Sequence, residues 1–439
     1  MKEKIKLILK YCITFIVTVI ILFLALVLTA KIPRSLIKEN IEKSSDEINE
    51  HIAQNYAQED IYKRLHYHGD IIKLNIIYYI NSNDAINSVM EAKYYSPSES
   101  EWIDLDLKSV INNINEPNVQ YIRYWHGSMS ILRPLLIFFS MNEIKIINTI
   151  ILTGLIIMLI IKLRKIKHLI IAIIIGMIMC YIFVVPMCME YMWTFSIMLI
   201  SSIIVSDFVK KNKNTNMIFF ITGIITCYFD FLTTEIITLF LPLILLLTLK
   251  YEKNEINNFK EGFKILLKST MLWSAGYFGM WFAKWILASI IIKDVNIVEY
   301  IIKPATRRIN GQLYIKNDKN IIIEAILANL KTLFPIKILL KNNMLYWILG
   351  GIVVIELIFI RKKDLKKMWF SLLMIFIAAT PYLRYTILSN HSYEHDFFTF
   401  RIQLISIISI ILAMYYSWNK EFMKCTLKRI WKVINKKSK

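Results

Sequence analysis

The stretch YCITFIVTVIILFLALVLTA, residues 11–30, decides the fold class. It has no charged residue, and twenty helical residues at about 1.5 Å each are long enough to cross the hydrocarbon core of a bilayer. The basic segment Lys2–Lys10 precedes it. A cleaved secretory signal would also begin with basic residues, but its apolar core is shorter, so we expect a retained membrane helix.

Apolar runs of similar length recur along the rest of the chain. They lie at 144–163, 168–186, 192–208, 217–232, 234–250, 269–290, 345–361, 368–384 and 401–418. With 56% hydrophobic and only 20% charged residues, one water-soluble domain would leave too much apolar surface in water. The sequence therefore predicts an all-α, polytopic membrane bundle of about ten transmembrane helices.

The formal charge of +20 is distributed in short basic clusters between the apolar runs. The clusters are Lys2–Lys10, Lys162–Lys167, Lys210–Lys213, Arg361–Lys367 and Lys420–Lys439. Basic loops beside membrane spans mark the cytoplasmic face, so both termini are predicted to be cytoplasmic. No cluster is interleaved with stacking aromatic residues, which argues against a nucleic-acid partner. The excess of Ile, Lys and Asn resembles AT-rich Gram-positive genomes, and we expect a multi-pass protein of a bacterial plasma membrane.

Alternate crossing of the membrane divides the chain into six parts. These are the cytoplasmic N-terminus with the first helix (1–30), an extracytoplasmic loop (31–141), transmembrane helices 2–7 (142–293), a second extracytoplasmic loop (294–343), helices 8–10 (344–418) and a basic cytoplasmic tail (419–439). Isoleucines at one helical face of the first loop predict an amphipathic helix on the membrane surface. They are Ile37, Ile41, Ile48 and Ile52, and further short interfacial helices are expected at 71–80 and 85–95.

Ionisable and aromatic residues concentrate at the outer ends of the apolar runs. Because an ionisable group in or beside the bilayer is costly, it needs a partner, a water-filled cavity or a function. The candidate substrate-binding residues are Arg123, Trp125, His126, Arg133, Asp230, Lys284, Arg384, His391, His395 and Arg401. Glu190, beside an outer turn, is a weaker candidate. The structural alternatives are an interfacial aromatic belt for Trp125 and a solvated hairpin turn for Asp230.

A metal site is weakly indicated. His391 and His395 are four residues apart, so on a helix they share a face, but no third ligand accompanies them. Hydrogen bonding or aromatic stacking is the competing interpretation. The five cysteines have no metal-type spacing. We therefore predict no cofactor and no metal ligands, although the sequence leaves a divalent metal open.

An acidic residue of the first loop is the candidate catalytic base. Asp70 precedes apolar sequence that should lie at the membrane surface, within reach of a lipid head group. Asp84 and Glu91 are alternatives, whereas the cluster Glu99–Asp106 is flanked by Ser and Pro and is typical of a solvated turn. Arginine suits a phosphate at this boundary, because its planar fork of donors remains charged.

The order of a first helix, a large outer loop with an acidic residue and a many-helix bundle resembles the GT-C class of integral-membrane glycosyltransferases. The resemblance implies transfer of a sugar from a polyprenyl-phosphate-linked donor to an extracytoplasmic cell-envelope acceptor, with Asp70 as the base and Glu91 second. The paired acids of several members are missing, since Lys31–Arg34 stands there. The blocks Arg123–Arg133, Asp230–Thr234 and Asn390–Arg401 also resemble uncharacterised polytopic membrane proteins of Gram-positive bacteria.

Two other functions are compatible with the same residues. An envelope polysaccharide polymerase, ligase or acyltransferase would use the same outer face, with His126 or His391 as the base. A transporter or flippase for a lipid-linked solute would need polar residues reaching mid-membrane from both sides. The interiors of 144–163, 168–186 and 401–418 are almost purely apolar, which favours a one-sided site.

Overall fold

A computed structural model describes most of the chain. The described residues are 2–49, 68–96, 103–112, 115–293, 296, 300, 306, 320–334 and 368–418. Within these ranges the protein is helical and forms no β-strand, apart from an isolated bridge between Tyr94 and Val119. The all-α prediction is confirmed for this part of the chain. The expected span 345–361, most of the second loop, Ile52 and the basic tail lie outside the described residues.

The described residues form eighteen α-helices. In chain order they are α1 (Lys2–Ala30), α2 (Arg34–Asn49), α3 (His68–Tyr79), α4 (Ala85–Glu91), α5 (Ile103–Ile111), α6 (Met129–Leu135), α7 (Met141–Leu163), α8 (Lys167–Met179), α9 (Met192–Lys210), α10 (Asn216–Phe229), α11 (Ile237–Glu252), α12 (Phe259–Ile291), α13 (Ile321–Leu333), α14 (Trp369–Ala378), α15 (Thr380–Ile387), α16 (Ser389–Glu394), α17 (Asp396–Thr399) and α18 (Leu404–Ser417). Short 3-10 turns occupy Ser82–Asp84, Ile182–Met187 and Phe400–Gln403.

Among the described residues, five helical segments are long and apolar enough to cross a membrane. They are Lys2–Ala30, Met141–Leu163, Met192–Lys210, Trp369–Ile387 and Asp396–Ser417. Helices α8 and α10 are apolar but contain only 13 and 14 residues. The run 168–186 is interrupted because Tyr181 adopts a left-handed conformation and the chain continues as a 3-10 turn containing Pro186. The membrane character is supported, whereas the count of about ten spans is not confirmed.

Helix α1 shows the surface expected of a lipid-facing segment. Only Leu26, Val27 and Ala30, in its last two turns, are buried. Large side chains such as Ile8 (63% exposed) and Ile21 (60% exposed) project outward along the rest of the helix. Contiguous apolar surface of this extent is unfavourable in water and suits contact with lipid tails.

Helix α11 occupies the centre of the bundle. Every residue from Ile237 to Leu249 is buried, and the helix packs against α9, α10, α12 and α18. A helix that is hydrophobic on all sides is stable when its whole apolar surface is buried, and the four neighbouring helices bury it here.

Helices α10 and α12 cross at a pair of glycines. A Cβ atom at Gly276 would lie 3.1 Å from the Ile224 amide nitrogen and would overlap a backbone carbonyl oxygen of α10. A Cβ atom at Gly223 would likewise lie 2.9 Å from the Tyr277 amide nitrogen. Small residues at a helix crossing allow the backbones to approach closely, which increases van der Waals contact inside a membrane.

The region between α1 and α7 contains the predicted amphipathic helix. Ile37, Ile41 and Ile48 of α2 are buried on one face, as the spacing predicts. That face packs against α3, α5 and α7, so these side chains contact protein and the expected placement of this face on the membrane surface is wrong. Helices α3 and α4 confirm the short helices expected at 71–80 and 85–95, and α3 is also buried in protein.

Candidate functional site

Five segments that are distant in sequence converge on one cavity of about 220 Å³. They are the start of α3, the loop before α6, the turn before α9, the turn after α10, and α16 with α17. The cavity is lined by Gly69, Ile72, Lys73, Ile76, Tyr121, Tyr124, His126, Glu190, Tyr191, Phe231, His391, His395, Phe397 and Phe398. Aromatic walls therefore surround a small number of titratable groups, which is typical of a ligand site.

The first turns of α3 place Gly69 and Lys73 on the cavity wall. Residues four apart lie on the same face of a helix, so Lys73 stands one turn beyond Gly69. A Cβ atom at Gly69 would overlap Glu190 Oε2 and would lie 3.1 Å from Glu190 Cδ. The Glu190 carboxylate therefore rests directly against the helix, in space that only glycine leaves open.

Asp70 points away from the cavity into a buried polar cluster. Its side chain is fully buried, its Oδ1 accepts a 3.5 Å hydrogen bond from the Cys188 thiol, and its Oδ2 lies 3.7 Å from Lys145 Nζ. Burial raises the pKa of Asp70, while the charges of Lys145 and Lys73 act in the opposite direction. The predicted base thus lies one layer behind the cavity lining.

Lys73 and Glu190 are the charged groups that reach the cavity from this cluster. Lys73 Nζ donates to the Met189 carbonyl oxygen at 3.4 Å and lies 5.1 Å from the centre of the Phe231 ring. Burial lowers the pKa of Lys73, and the charge of Glu190 opposes this change. Burial raises the pKa of Glu190, and Lys73 opposes that change in turn. Each of these two partly desolvated groups therefore favours the ionised form of the other.

His126 is held in the cavity wall by the backbone. Its residue adopts a left-handed conformation (φ 56°), and Nε2 lies 2.9 Å from the Tyr121 carbonyl oxygen. The imidazole packs against Tyr121 and Phe231, with ring centres 4.9 and 5.1 Å away. Burial and the charge of Lys284 lower the pKa of His126 to about 3. The imidazole is therefore neutral at physiological pH and is a weak base.

His391 and His395 form part of the aromatic wall. Their rings lie 4.7 Å apart in an edge-to-face arrangement, and His395 stacks on Phe398. Over the described ranges, no group of three or more His, Cys, Asp or Glu side chains is placed to hold a metal ion. The stacked arrangement corresponds to the aromatic interpretation of the HxxxH pair.

Arg133 connects the ends of two helices. Its side chain is fully buried, and it donates to the carbonyl oxygens of Ile77 and Ile32, the second at 2.7 Å. Ile77 lies in the last turn of α3, and Ile32 follows α1. The guanidinium group satisfies backbone carbonyls at these helix ends and is not part of the cavity lining.

Arg384 and Asp230 stabilise the turn between α10 and α11. Arg384 Nε pairs with Glu235 Oε1 at 3.0 Å, and both side chains are buried. The same guanidinium donates to the Leu232 carbonyl oxygen at 2.7 Å. The Asp230 carboxylate accepts from the amides of Leu232 and Thr233 at 2.8 and 3.1 Å. These two candidates hold the loop that presents Phe231 to the cavity.

Two further arginines border the cavity from behind its aromatic side chains. The Arg123 guanidinium lies 5.1 Å from the Tyr121 ring and 5.8 Å from the Tyr124 ring. Arg401 lies 5.5 Å from the Tyr191 ring and donates to the Phe397 carbonyl oxygen at 3.0 Å. Both arginines therefore support the aromatic walls through cation–π contacts.

Lys284 and Trp125 connect α12 to the region before α6. Lys284 Nζ donates to the Met90 carbonyl oxygen at 3.0 Å and lies 5.7 Å from the Trp125 ring centre. The Trp125 indole donates to the Met280 carbonyl oxygen at 2.8 Å. Both side chains are buried among protein atoms, and neither lines the cavity.

Glu91, the second candidate base, lies at the end of α4. It pairs with Lys93 at 2.9 Å and accepts a hydrogen bond from Gln120 at 3.2 Å. It is not among the cavity-lining residues. Of the predicted site residues, the cavity thus gathers His126, His391 and His395, together with the weaker candidate Glu190.

The sequence reasoning missed Lys73 and gave Glu190 little weight. Lys73 lies inside an apolar stretch, and the signal that could have identified it is its spacing of four from Gly69 and three from Asp70. Comparisons with protein-family models, with curated proteins and with solved structures found no match for this chain. The functional interpretation therefore depends on the chemistry of the cavity itself.

Proposed function

We propose that this protein is a membrane glycosyltransferase, which transfers a sugar from a polyprenyl-phosphate-linked donor to a cell-envelope acceptor. The reaction would take place on the extracytoplasmic face of a bacterial plasma membrane, in a multi-pass protein with both termini in the cytoplasm. The observation that carries the proposal is the cavity, in which a lysine and a carboxylate stand between aromatic walls.

The phosphate, the sugar ring and the polyprenyl tail of the donor would each have a matching environment in or beside the cavity. The phosphate of the donor meets the Lys73 ammonium, which is already partly desolvated and held by the Met189 carbonyl. The sugar ring stacks on aromatic side chains such as Tyr121 and Phe231, because C–H faces of sugars pack well on flat apolar rings. The polyprenyl tail stays in the lipid around the apolar outer faces of the bundle.

The transfer step requires one base and one stabilised leaving group. A hydroxyl oxygen of the acceptor attacks the anomeric carbon, and the bond from that carbon to the phosphate oxygen breaks. The hydroxyl proton passes to the Glu190 carboxylate, and polyprenyl phosphate leaves with its negative charge stabilised by Lys73. We assign the base to Glu190 because this carboxylate lines the cavity, whereas Asp70 lies behind it.

Asp70 acts as a positioning residue in this scheme. It is 3.7 Å from Lys145, and its charge also influences Lys73 three residues further along α3. Burial raises the pKa of Glu190, which brings this base closer to the neutral pH at which it would operate. The weak basicity of His126 argues against the alternative in which this histidine is the base.

The test is donor turnover by the purified full chain in nanodiscs. Release of polyprenyl phosphate is followed with a panel of polyprenyl-phosphate sugars and cell-envelope acceptors. We expect Glu190→Gln to reduce kcat by about 10²- to 10⁴-fold, the range for loss of a general base. Lys73→Met should raise KM and also lower kcat, because Lys73 binds the donor phosphate and stabilises it as the leaving group. Glu91→Gln is the matched control, since that carboxylate lies outside the cavity lining.

The variants separate the class of reaction from the identity of the base. Turnover that survives Glu190→Gln but is abolished in Asp70→Asn would return the base to Asp70 and keep the reaction. A folded wild-type protein with no turnover on any donor would overturn the proposed function.

A further inference from the structure

A second pocket, of about 670 Å³, lies at the turn that connects α7 to α8. It is lined by Lys165, Lys167, His168, Ile171, Ile411, Met414, Tyr415 and Trp418. Lys145 near the start of α7 lies 3.7 Å from Asp70, in the polar cluster behind the first cavity, whereas this pocket adjoins the end of the same 23-residue helix. A helix of that length spans roughly 35 Å, so the two sites are at opposite ends of the bundle.

We infer that this pocket binds an anionic phospholipid, with the phosphate at Lys165 and Lys167 and an acyl chain along α8. The inference does not depend on the proposed transferase activity. It is carried by a basic rim, a preformed polar wall and an exposed apolar track that meet at one place.

The basic rim is available to an anion. Lys165 and Lys167 are exposed, and over the described ranges no carboxylate pairs with either of them. Two acidic groups of this part of the bundle are engaged by other partners. Asp207 binds Lys162 at 2.5 Å, and Glu252 accepts a 2.5 Å hydrogen bond from the Tyr416 hydroxyl and lies 3.5 Å from His168 Nε2. An anionic head group would supply the missing opposite charge.

The wall of the pocket is fixed by hydrogen bonding and stacking. The His168 ring lies parallel to the Tyr415 ring with their centres 3.9 Å apart. His168 Nε2 lies 2.7 Å from the Tyr416 hydroxyl, which in turn donates to Glu252. The pocket therefore exists before a ligand binds, which reduces the entropy lost on binding.

An exposed apolar track continues from the pocket along α8. Ile171, Ile175 and Ile178 are spaced by four and three residues, so they share one face of the helix. They are 54%, 38% and 64% exposed. A free phosphate or a nucleotide would leave this track uncovered. A phospholipid has a charged head group followed by an apolar chain, in the same order as the lysine rim and the isoleucine track.

The experiment compares lipid retention by the purified full chain. The protein is reconstituted in phosphatidylcholine alone or in an equal mixture with phosphatidylglycerol, and bound lipid is counted by native mass spectrometry. We expect selective retention of phosphatidylglycerol, weakened roughly thirty-fold in a Lys165→Ser, Lys167→Ser double variant, because each lysine near anionic lipid contributes on the order of a factor of five. Circular dichroism and thermal unfolding confirm that each variant is folded.

The chain offers a closely matched control. Lys211→Ser with Lys213→Ser removes the same charge from a Lys-x-Lys turn at the end of α9, outside the pocket lining. Equal loss of phosphatidylglycerol in both double variants would show general attraction to a basic surface and overturn the site. Stabilisation of the wild type by inorganic phosphate to the same degree as by phosphatidylglycerol would also overturn it, since the track would then play no part.

Discussion

Replacing Gly69 with alanine tests whether Glu190 acts from the position that it holds against α3. The new Cβ atom would overlap Glu190 Oε2 and lie 3.1 Å from Glu190 Cδ, so the carboxylate has to move by on the order of 1 Å. The atoms in conflict are the far end of a flexible side chain. The backbone of α3 therefore does not need to shift.

The expected effects on stability and activity are of very different size. A changed Glu190 rotamer costs about 1 kcal/mol, and alanine in place of glycine inside a helix returns about 0.5–1 kcal/mol, so the free energy of unfolding should hardly change. A displacement of about 1 Å in a catalytic constellation costs about 10²-fold in rate. We therefore expect a folded Gly69→Ala protein whose kcat is lowered about a hundredfold.

The assay measures polyprenyl phosphate release and thermal unfolding on the same nanodisc samples. Gly154→Ala is the matched control, because Gly154 also lies inside a helix and a Cβ atom there would meet nothing within 4 Å. A Gly69→Ala protein with wild-type turnover and wild-type Tm would refute the reasoning, because Glu190 would then tolerate displacement from the place where it is proposed to work.

The helix crossing at Gly276, the Arg384–Glu235 ion pair and the His126 imidazole can each be tested by measurements of stability. Gly276→Ala should lower the free energy of unfolding by about 1–3 kcal/mol, because the new Cβ atom meets the backbone of α10, which cannot rotate away. A Tm equal to that of Gly154→Ala would contradict the close crossing of α10 and α12. Arg384→Ala should lower the free energy of unfolding by about 3–5 kcal/mol, because the Glu235 carboxylate stays buried without its partner. Replacing both residues by apolar ones should restore much of the lost stability. An unchanged Tm with a raised donor KM would instead assign Arg384 to phosphate binding. The pKa of His126 falls from 6.5 to about 3 on folding, so the unfolded state binds the proton first as the pH is lowered. The free energy of unfolding should therefore decrease with decreasing pH between these two values, by at most about 1.4 kcal/mol per pH unit. Chemical denaturation across this pH range should show a shallower dependence for His126→Gln, and identical slopes would exclude the histidine as the cause.

The sequence predicted those parts of the fold that depend on local patterns. Helix α1 follows from an uninterrupted apolar run, and α2 follows from isoleucines spaced by four and seven residues. The pattern identified the buried face of α2 but not what would cover it. Periodicity shows that a face is apolar, and only the tertiary structure decides whether protein or lipid lies against it.

The candidate site was harder to predict because side-chain partners come from distant parts of the chain. Arg133 donates to a carbonyl 56 residues away, and Arg384 pairs with a carboxylate 149 residues away. An arginine at a membrane boundary gives the same sequence signal whether it binds a phosphate or a helix end. Lys73 was not predicted to belong to the site, because it lies within an apolar stretch of sequence, yet its charged group reaches the cavity.

The enclosure of α11 limits how this protein can move. A rotation or axial shift of α11 would require thirteen consecutive buried side chains to repack against four helices at once. Close-packed interiors resist such a change, because even small displacements lose many contacts. Helix α11 is therefore expected to stay in place, and any large motion of the described helices must involve segments at the perimeter of the bundle.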